Sequence, residues 1–164
     1  MKHTQVLRIY IFLFTLSVFS ISDSKAQSSK KQELKKLEYM IGEWVGVSKS
    51  FKHDSVNEVP AYESIQYMLD SNIIEINLKS ETLVLHTIIT YSEQDSTFYY
   101  HPFSKSGSGK YKALFDGERL IVTPHKTVRY IFTATPDGHF QEYGERLTDG
   151  TWIRYFEDTF KKMD

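Results

Sequence analysis

What most constrains this chain is the rhythm of its residues after Trp44. Short runs rich in Tyr, Phe, Ile, Val and Thr are broken roughly every 8 to 12 residues by turn formers, the spacing of an all-β chain. The runs predict ten strands, near 43–51, 61–69, 72–79, 82–91, 96–101, 110–115, 118–123, 127–134, 139–147 and 151–161. Within 72–79, Ile74, Ile76 and Leu78 alternate with Glu75, Asn77 and Lys79, so one face of the sheet is buried and the other wet. No helical segment intervenes to carry a parallel crossover, which leaves antiparallel hairpins. A long antiparallel sheet has two edges of unpaired backbone groups, and it removes them by closing on itself or by splitting into a sandwich. Closure is the expectation here: an all-β fold, a single antiparallel up-and-down β-barrel of about 8–10 strands.

Asp-Gly pairs at Asp116-Gly117, Asp137-Gly138 and Asp149-Gly150 are strong hairpin signals and order the last five strands as a meander. A two-residue turn at Asp116-Gly117 sets Ala113 opposite Leu120 and Tyr111 opposite Val122. A three-residue loop at Pro136-Asp137-Gly138 sets Ala134 opposite Phe140 and Phe132 opposite Glu142. The last turn has two readings. A two-residue turn pairs Glu145 with Arg154, whereas a three-residue turn that includes Thr148 pairs Gly144 with Arg154 and makes Glu142 its diagonal neighbour. The second is preferred, because it keeps Val128, Tyr130, Phe132, Phe140 and Phe156 on one face with Glu142 and Arg154.

Ahead of the strands, Leu34, Leu37 and Ile41 recur at spacings of three and four, which predicts a short N-terminal helix over 29–40, lying across one end of the barrel. Ser29 and Gln32 fit a capping box. The first residues read as a secretory signal: Lys2 and Arg8 precede an apolar run from Ile9 to Ile21, and a polar stretch ends at Ala26. The run is shorter than the roughly 20 residues of a membrane-spanning helix, although a retained anchor is the other reading. The expected division is a signal peptide over 1–26 and one β-barrel domain over 27–164, exported to the periplasm or outside the cell, with no integral membrane segment in the mature protein.

There is no cysteine among the 164 residues, which excludes disulfides, thiolate metal sites, a cysteine nucleophile and a lipid-modified cysteine. The net charge of −1 offers none of the concentrated positive charge that nucleic acid requires. Beyond the leader, His53, His86, His101, His125 and His139 form no metal-binding spacing, and no Gly-x-Ser-x-Gly elbow is present. No catalytic or metal residue is therefore assigned. Lys105 to Lys110 has the wrong glycine spacing for a phosphate loop and reads as a flexible loop, its tip expected to gate one end of the barrel.

The stretch LEYMIGEWVG, Leu37 to Gly46, with Gly42-Glu43-Trp44 at the mouth of the first strand, resembles the Gly-x-Trp start of lipocalins and lipocalin-like calycin barrels. The resemblance implies that Trp44 closes one barrel end beneath a basic side chain from the far end of the chain, with Arg154 or Lys161 as the cation. The closing LTDGTWIRYFEDTFKK, Leu147 to Lys162, resembles the last hairpin of an uncharacterised lipocalin-like family of secreted bacterial proteins. Nitrobindin-type haem barrels are similar in layout, but their ligating histidine matches no position here, and the cofactor is left unassigned.

Trp152, Arg154, Phe156, Asp158 and Phe160 alternate along the last strand, interleaving charge with large aromatics in a way that suits an interior. A buried charge is costly unless paired, so an inward Glu142 with Arg154 and Arg146 is expected to form a balanced group. The candidate ligand-binding residues are Trp44, His86, Tyr130, Phe132, Glu142, Arg154 and Phe156. The function these support first is binding of a small hydrophobic or amphipathic molecule inside the barrel, Arg154 meeting an acidic head group and Tyr130 a hydroxyl or carbonyl. The alternatives are a filled barrel serving as a structural or interaction module of the cell envelope, and an enzyme using Glu142 as general base. Ligand identity and oligomeric state are not legible.

Overall fold

The computed structural model describes residues 30–52 and 55–163. Eleven strands follow one another: β1 (Gly42–Lys52), β2 (Ser55–Met68), β3 (Ile73–Ser80), β4 (Val84–Ser92), β5 (Thr97–Ser104), β6 (Gly107–Ser108), β7 (Tyr111–Phe115), β8 (Leu120–His125), β9 (Val128–Ala134), β10 (Phe140–Thr148) and β11 (Thr151–Lys162). The two-residue β6 only extends the edge of β5, which continues to β7. The other ten pair antiparallel in chain order, and β1 pairs with β11, so the sheet closes. This is the expected up-and-down barrel. No helix among the described residues is long and apolar enough to cross a membrane. The signal-peptide region 1–26 and the capping residue Ser29 lie outside the described residues.

Strand boundaries differ from the sequence reading most at β2, which starts at Ser55 and not at 61. Its first residues pair with β1 alone, because β3 ends opposite Ala61. Pro60 falls in this stretch, where its missing N–H interrupts no ladder on the β3 side.

The expected helix over 29–40 is broken. Helical turns over 30–35 give way to a 3-10 turn, Glu38–Met40, held by i→i+3 bonds from Leu37 N to Leu34 O and from Met40 N to Leu37 O, both 3.0 Å. The tighter period puts Leu34, Leu37 and Met40, three apart, on one side, and all three are fully buried. The segment caps one barrel end as expected. Lys31 Nζ reaches Asp70 in the β2–β3 turn at 2.5 Å, and Lys30 N donates to Glu93 Oε1 in the β4–β5 turn at 3.0 Å. Tyr39 donates to the Phe132 carbonyl at 2.9 Å and accepts from Leu120 N at 3.3 Å.

Below this cap, Trp44 is buried and donates from Nε1 to the Met40 carbonyl at 2.7 Å. Its ring packs on Phe140, which stacks in turn on Phe132 and Phe160, with centroids 5.5, 6.5 and 6.0 Å apart. The cation over Trp44 is Lys162, 5.6 Å from the ring centroid, and not the expected Arg154 or Lys161. Lys162 pairs directly with Trp44 in the β1–β11 ladder, whereas Lys161 points to the opposite face.

The hairpins decide what faces inward. At Pro136-Asp137-Gly138 the three-residue loop is as expected, with Phe132 opposite Glu142. At Asp116-Gly117 the loop is longer than two residues: Asp116 Oδ1 accepts from the backbone N–H groups of Glu118 and Arg119 at 3.1 and 2.8 Å. Ala113 therefore pairs with Val122, two residues from the expected Leu120. An even shift leaves every side chain on its face.

The last hairpin corrects the preferred register. The turn is the two-residue one, with Thr148 opposite Thr151 and Glu145 opposite Arg154, and a bulge then intervenes so that Gly144 pairs with Phe156. The bulge inserts Tyr155 and reverses the strand's parity. Trp152 and Arg154 lie outside the barrel, and Phe156, Asp158 and Phe160 lie inside.

Candidate functional site

The end of the barrel opposite the helical cap holds a cavity of about 740 Å³. Its mouth is edged by Lys52, the β3–β4 turn at Thr82 and Leu83, the segment Ser106 to Gly109, and Arg146. The Lys105–Lys110 segment thus borders this end, with Gly107 and Ser108 paired to the edge of β5. Leu78, Leu85, Tyr100, Tyr130, Phe132 and Phe156 wall the cavity. The rings form a connected set: Tyr100 sits 6.3 Å from Tyr130 and 5.6 Å from Phe132, and Tyr130 sits 6.0 Å from Phe156.

The β11 bulge builds one side of this wall. Tyr155 and Phe156 both line the cavity although they are adjacent in sequence, with their rings edge to face at 5.2 Å. Gly144, the cross-strand partner of Phe156, makes room for them: a Cβ there would lie 2.2 Å from Phe156 Cε1 and 2.8 Å from Tyr155 Cζ.

Toward the floor the chemistry changes. Glu142 and Asp158 face each other across β10 and β11, both buried and both on the cavity lining. Glu63 of β2 is 1% exposed. Burial is the first cause pushing all three carboxyls upward. For Glu63 the charge of Asp158 adds to it and the pKa reaches about 8. Glu142 is held well above the carboxylate range by burial, then by the charges of Glu63 and Asp158. Asp158 is raised less, because hydrogen bonds from the Ser48 hydroxyl, the Glu142 carboxyl and the Lys49 backbone N–H favour its anion. Glu142 and Asp158 are hydrogen-bonded to each other, and burial favours the neutral form of each. Glu63 Oε2 and Asp158 Oδ1 are buried and have no hydrogen-bond partner. Among the described residues no ion pair reaches any of the three, and no group of side chains has the geometry to hold a metal ion.

The structure brings together four of the residues singled out from the sequence: Tyr130, Phe132, Glu142 and Phe156 share the cavity. Trp44 lies beyond the floor, in the closed end. His86 is turned outward because its neighbours Leu85 and Thr87 take the inner face of β4, and its Nδ1 lies 2.7 Å from Asn77 Oδ1 on the outside of β3. Arg154, expected to partner Glu142, instead bonds Glu157 and lies 3.7 Å over the Tyr143 ring on the outer wall. Its place at the cavity is taken by Arg146, stacked 5.1 Å over Tyr155 at the mouth. Sequence reasoning passed over Glu63 and gave Asp158 no role. The signal for Glu63 was its position in phase with Ala61, Ile65 and Tyr67, where an apolar residue belongs.

No protein-family profile matches the sequence, and no curated protein matches it. Among solved structures the chain is similar to zebrafish ileal bile acid-binding protein complexed with cholic acid, with a TM-score of 0.52 and 10% identity over 76% of this chain and 99% of that one. At that identity the likeness is one of fold. The chain shares that fold, a barrel of ten antiparallel strands, here closed at one end by the N-terminal segment.

Proposed function

We propose that this chain is an exported binding protein that holds a small amphipathic molecule inside its barrel. The observation that carries the reading is the cavity of about 740 Å³, apolar along its walls and polar at its floor, which falls in the usual size range of small-molecule sites. A filled barrel would have no such space. The zebrafish protein of similar fold holds cholic acid, which supports the use of this architecture for amphipathic ligands. Export rests on the leader-like residues 1–26, and kinship with the secreted bacterial lipocalin-like family rests on the motifs around Trp44 and in the last hairpin.

Two measurements test the proposal. Titration with prodan, a neutral polarity-sensitive dye, should give saturable binding of one dye per chain with a blue-shifted emission, and Leu85→Trp, which fills the cavity, should abolish it. An unshifted, non-saturating signal would sink intrabarrel binding. Intact-mass measurement of protein recovered from its native host should show a chain beginning at Gln27; a chain that keeps Met1 in the membrane fraction would overturn export.

A further inference from the structure

We infer that the ligand carries a protonated amine, which enters head first and is received by Asp158 and Glu142 at the cavity floor. The inference rests on the intrabarrel reading above and goes further by naming the head group. Three buried carboxyls meet where β2, β10 and β11 face one another, and no cationic side chain pairs with any of them among the described residues. A carboxyl can ionise in a dry interior only beside a partner of opposite charge, and no side chain among the described residues supplies one. Asp158 lines the cavity, is 3% exposed, and keeps Oδ1 without a hydrogen-bond partner. An acceptor left unsatisfied at that depth is a site for a donor brought from outside.

Charge selects among donors. A carboxylate head would bring a fourth acidic group to the floor, so acidic amphiphiles are disfavoured in the head-first orientation. A hydroxyl would satisfy the geometry without balancing the charge. An ammonium supplies three donors and the missing cation together, and its bond to a carboxylate is of the stronger, charge-assisted kind. Tyr100, Tyr130 and Phe156 above the floor would cover the carbon chain, leaving the tail toward the mouth.

The test is displacement of prodan by octylamine, octanol and octanoic acid, three probes of the same chain length. Octylamine should displace the dye at about tenfold lower concentration than octanol, the factor expected for one charge-assisted bond, and octanoic acid should be weakest. The Glu142→Gln, Asp158→Asn double variant should bring the amine-to-alcohol ratio close to one. Equal displacement by amine and alcohol, or strongest displacement by the acid, would overturn the amine inference while leaving intrabarrel binding intact. An amine preference that survives in the double variant would place the recognition away from Asp158 and Glu142 and overturn it too. Failure of prodan to bind the unaltered protein removes the underlying reading and this inference with it. Should the double variant not fold, the three-probe series on the unaltered protein still decides.

Discussion

Inside the barrel Glu142 on β10 and Asp158 on β11 are direct cross-strand partners, both carboxyls buried and hydrogen-bonded to each other. Burial and the repulsion that two adjacent negative charges would suffer push both toward their neutral forms. Glu63 adds a third carboxyl to the same low-dielectric space. The interior therefore carries proton-binding capacity that the unfolded chain lacks near neutral pH, and stability becomes a function of pH.

The sign follows from the direction of the shifts. Each of the three groups has a folded-state pKa above its ordinary value of 4.5 or 3.8, so the folded protein holds more protons than the unfolded one. Their protonated forms stabilise the fold fully below the ordinary carboxylate pKa, and that contribution is lost as pH rises through the folded values, to about 8 for Glu63. Urea midpoints are expected to fall between pH 5 and pH 8, by on the order of a few kcal/mol in stability. Glu63→Gln should flatten the slope. A stability that rises steadily over this interval in the unaltered protein, with no change in Glu63→Gln, would contradict the buried cluster.

Trp44 fills the closed end, with its indole N–H bonded to the Met40 carbonyl. Trp44→Ala should cost about 3 to 5 kcal/mol in denaturant melts, the range for large aromatics removed from cores. Lys162→Ala, which removes only the cation above the ring, should cost about 1 kcal/mol or less. Near-equal losses would mean that Trp44 is not packed as described.

Two glycines are required by close approach. A Cβ at Gly46 would lie 2.0 Å from the Thr159 carbonyl oxygen of the neighbouring strand, where backbone cannot yield easily. At Gly144 the obstruction is the Phe156 and Tyr155 rings. Gly144→Ala should cost about 1 to 3 kcal/mol, as overpacked sites do, and should change prodan affinity because the rings line the cavity. Gly46→Ala should be the more damaging in thermal melts and should strain the β1–β11 closure. The reverse ranking would argue against the seam.

Arg154 distinguishes the bulged hairpin from a regular one. Outside the barrel it has a half-exposed pair with Glu157 and a stacked contact with Tyr143, so Arg154→Met should change stability by about 1 kcal/mol or less and leave prodan affinity alone. Arg146→Met, at the mouth, should alter prodan affinity. A loss of binding in Arg154→Met would return that side chain to the interior and remove the bulge.

Strand number, antiparallel order and closure were legible in the sequence because each depends on local signals: a period of two, turn residues at regular spacing, and the absence of crossover helices. Tyr130, Phe132 and Glu142 follow from that alternation through a correctly read loop. Trp44 was legible from its motif, but its cation was not, since one residue's difference between Lys161 and Lys162 reverses the face. The placement of Arg154 was decided by tertiary structure alone. Whether β11 accepts an extra residue depends on the fit of Tyr155 and Phe156 against Gly144, and no local propensity encodes that fit. The carboxyl cluster is tertiary for the same reason. Glu63, Glu142 and Asp158 lie far apart in the chain, and only closure of the barrel brings β1 between β2 and β11 and turns all three inward into one group of buried carboxyls with no cationic partner among the described residues.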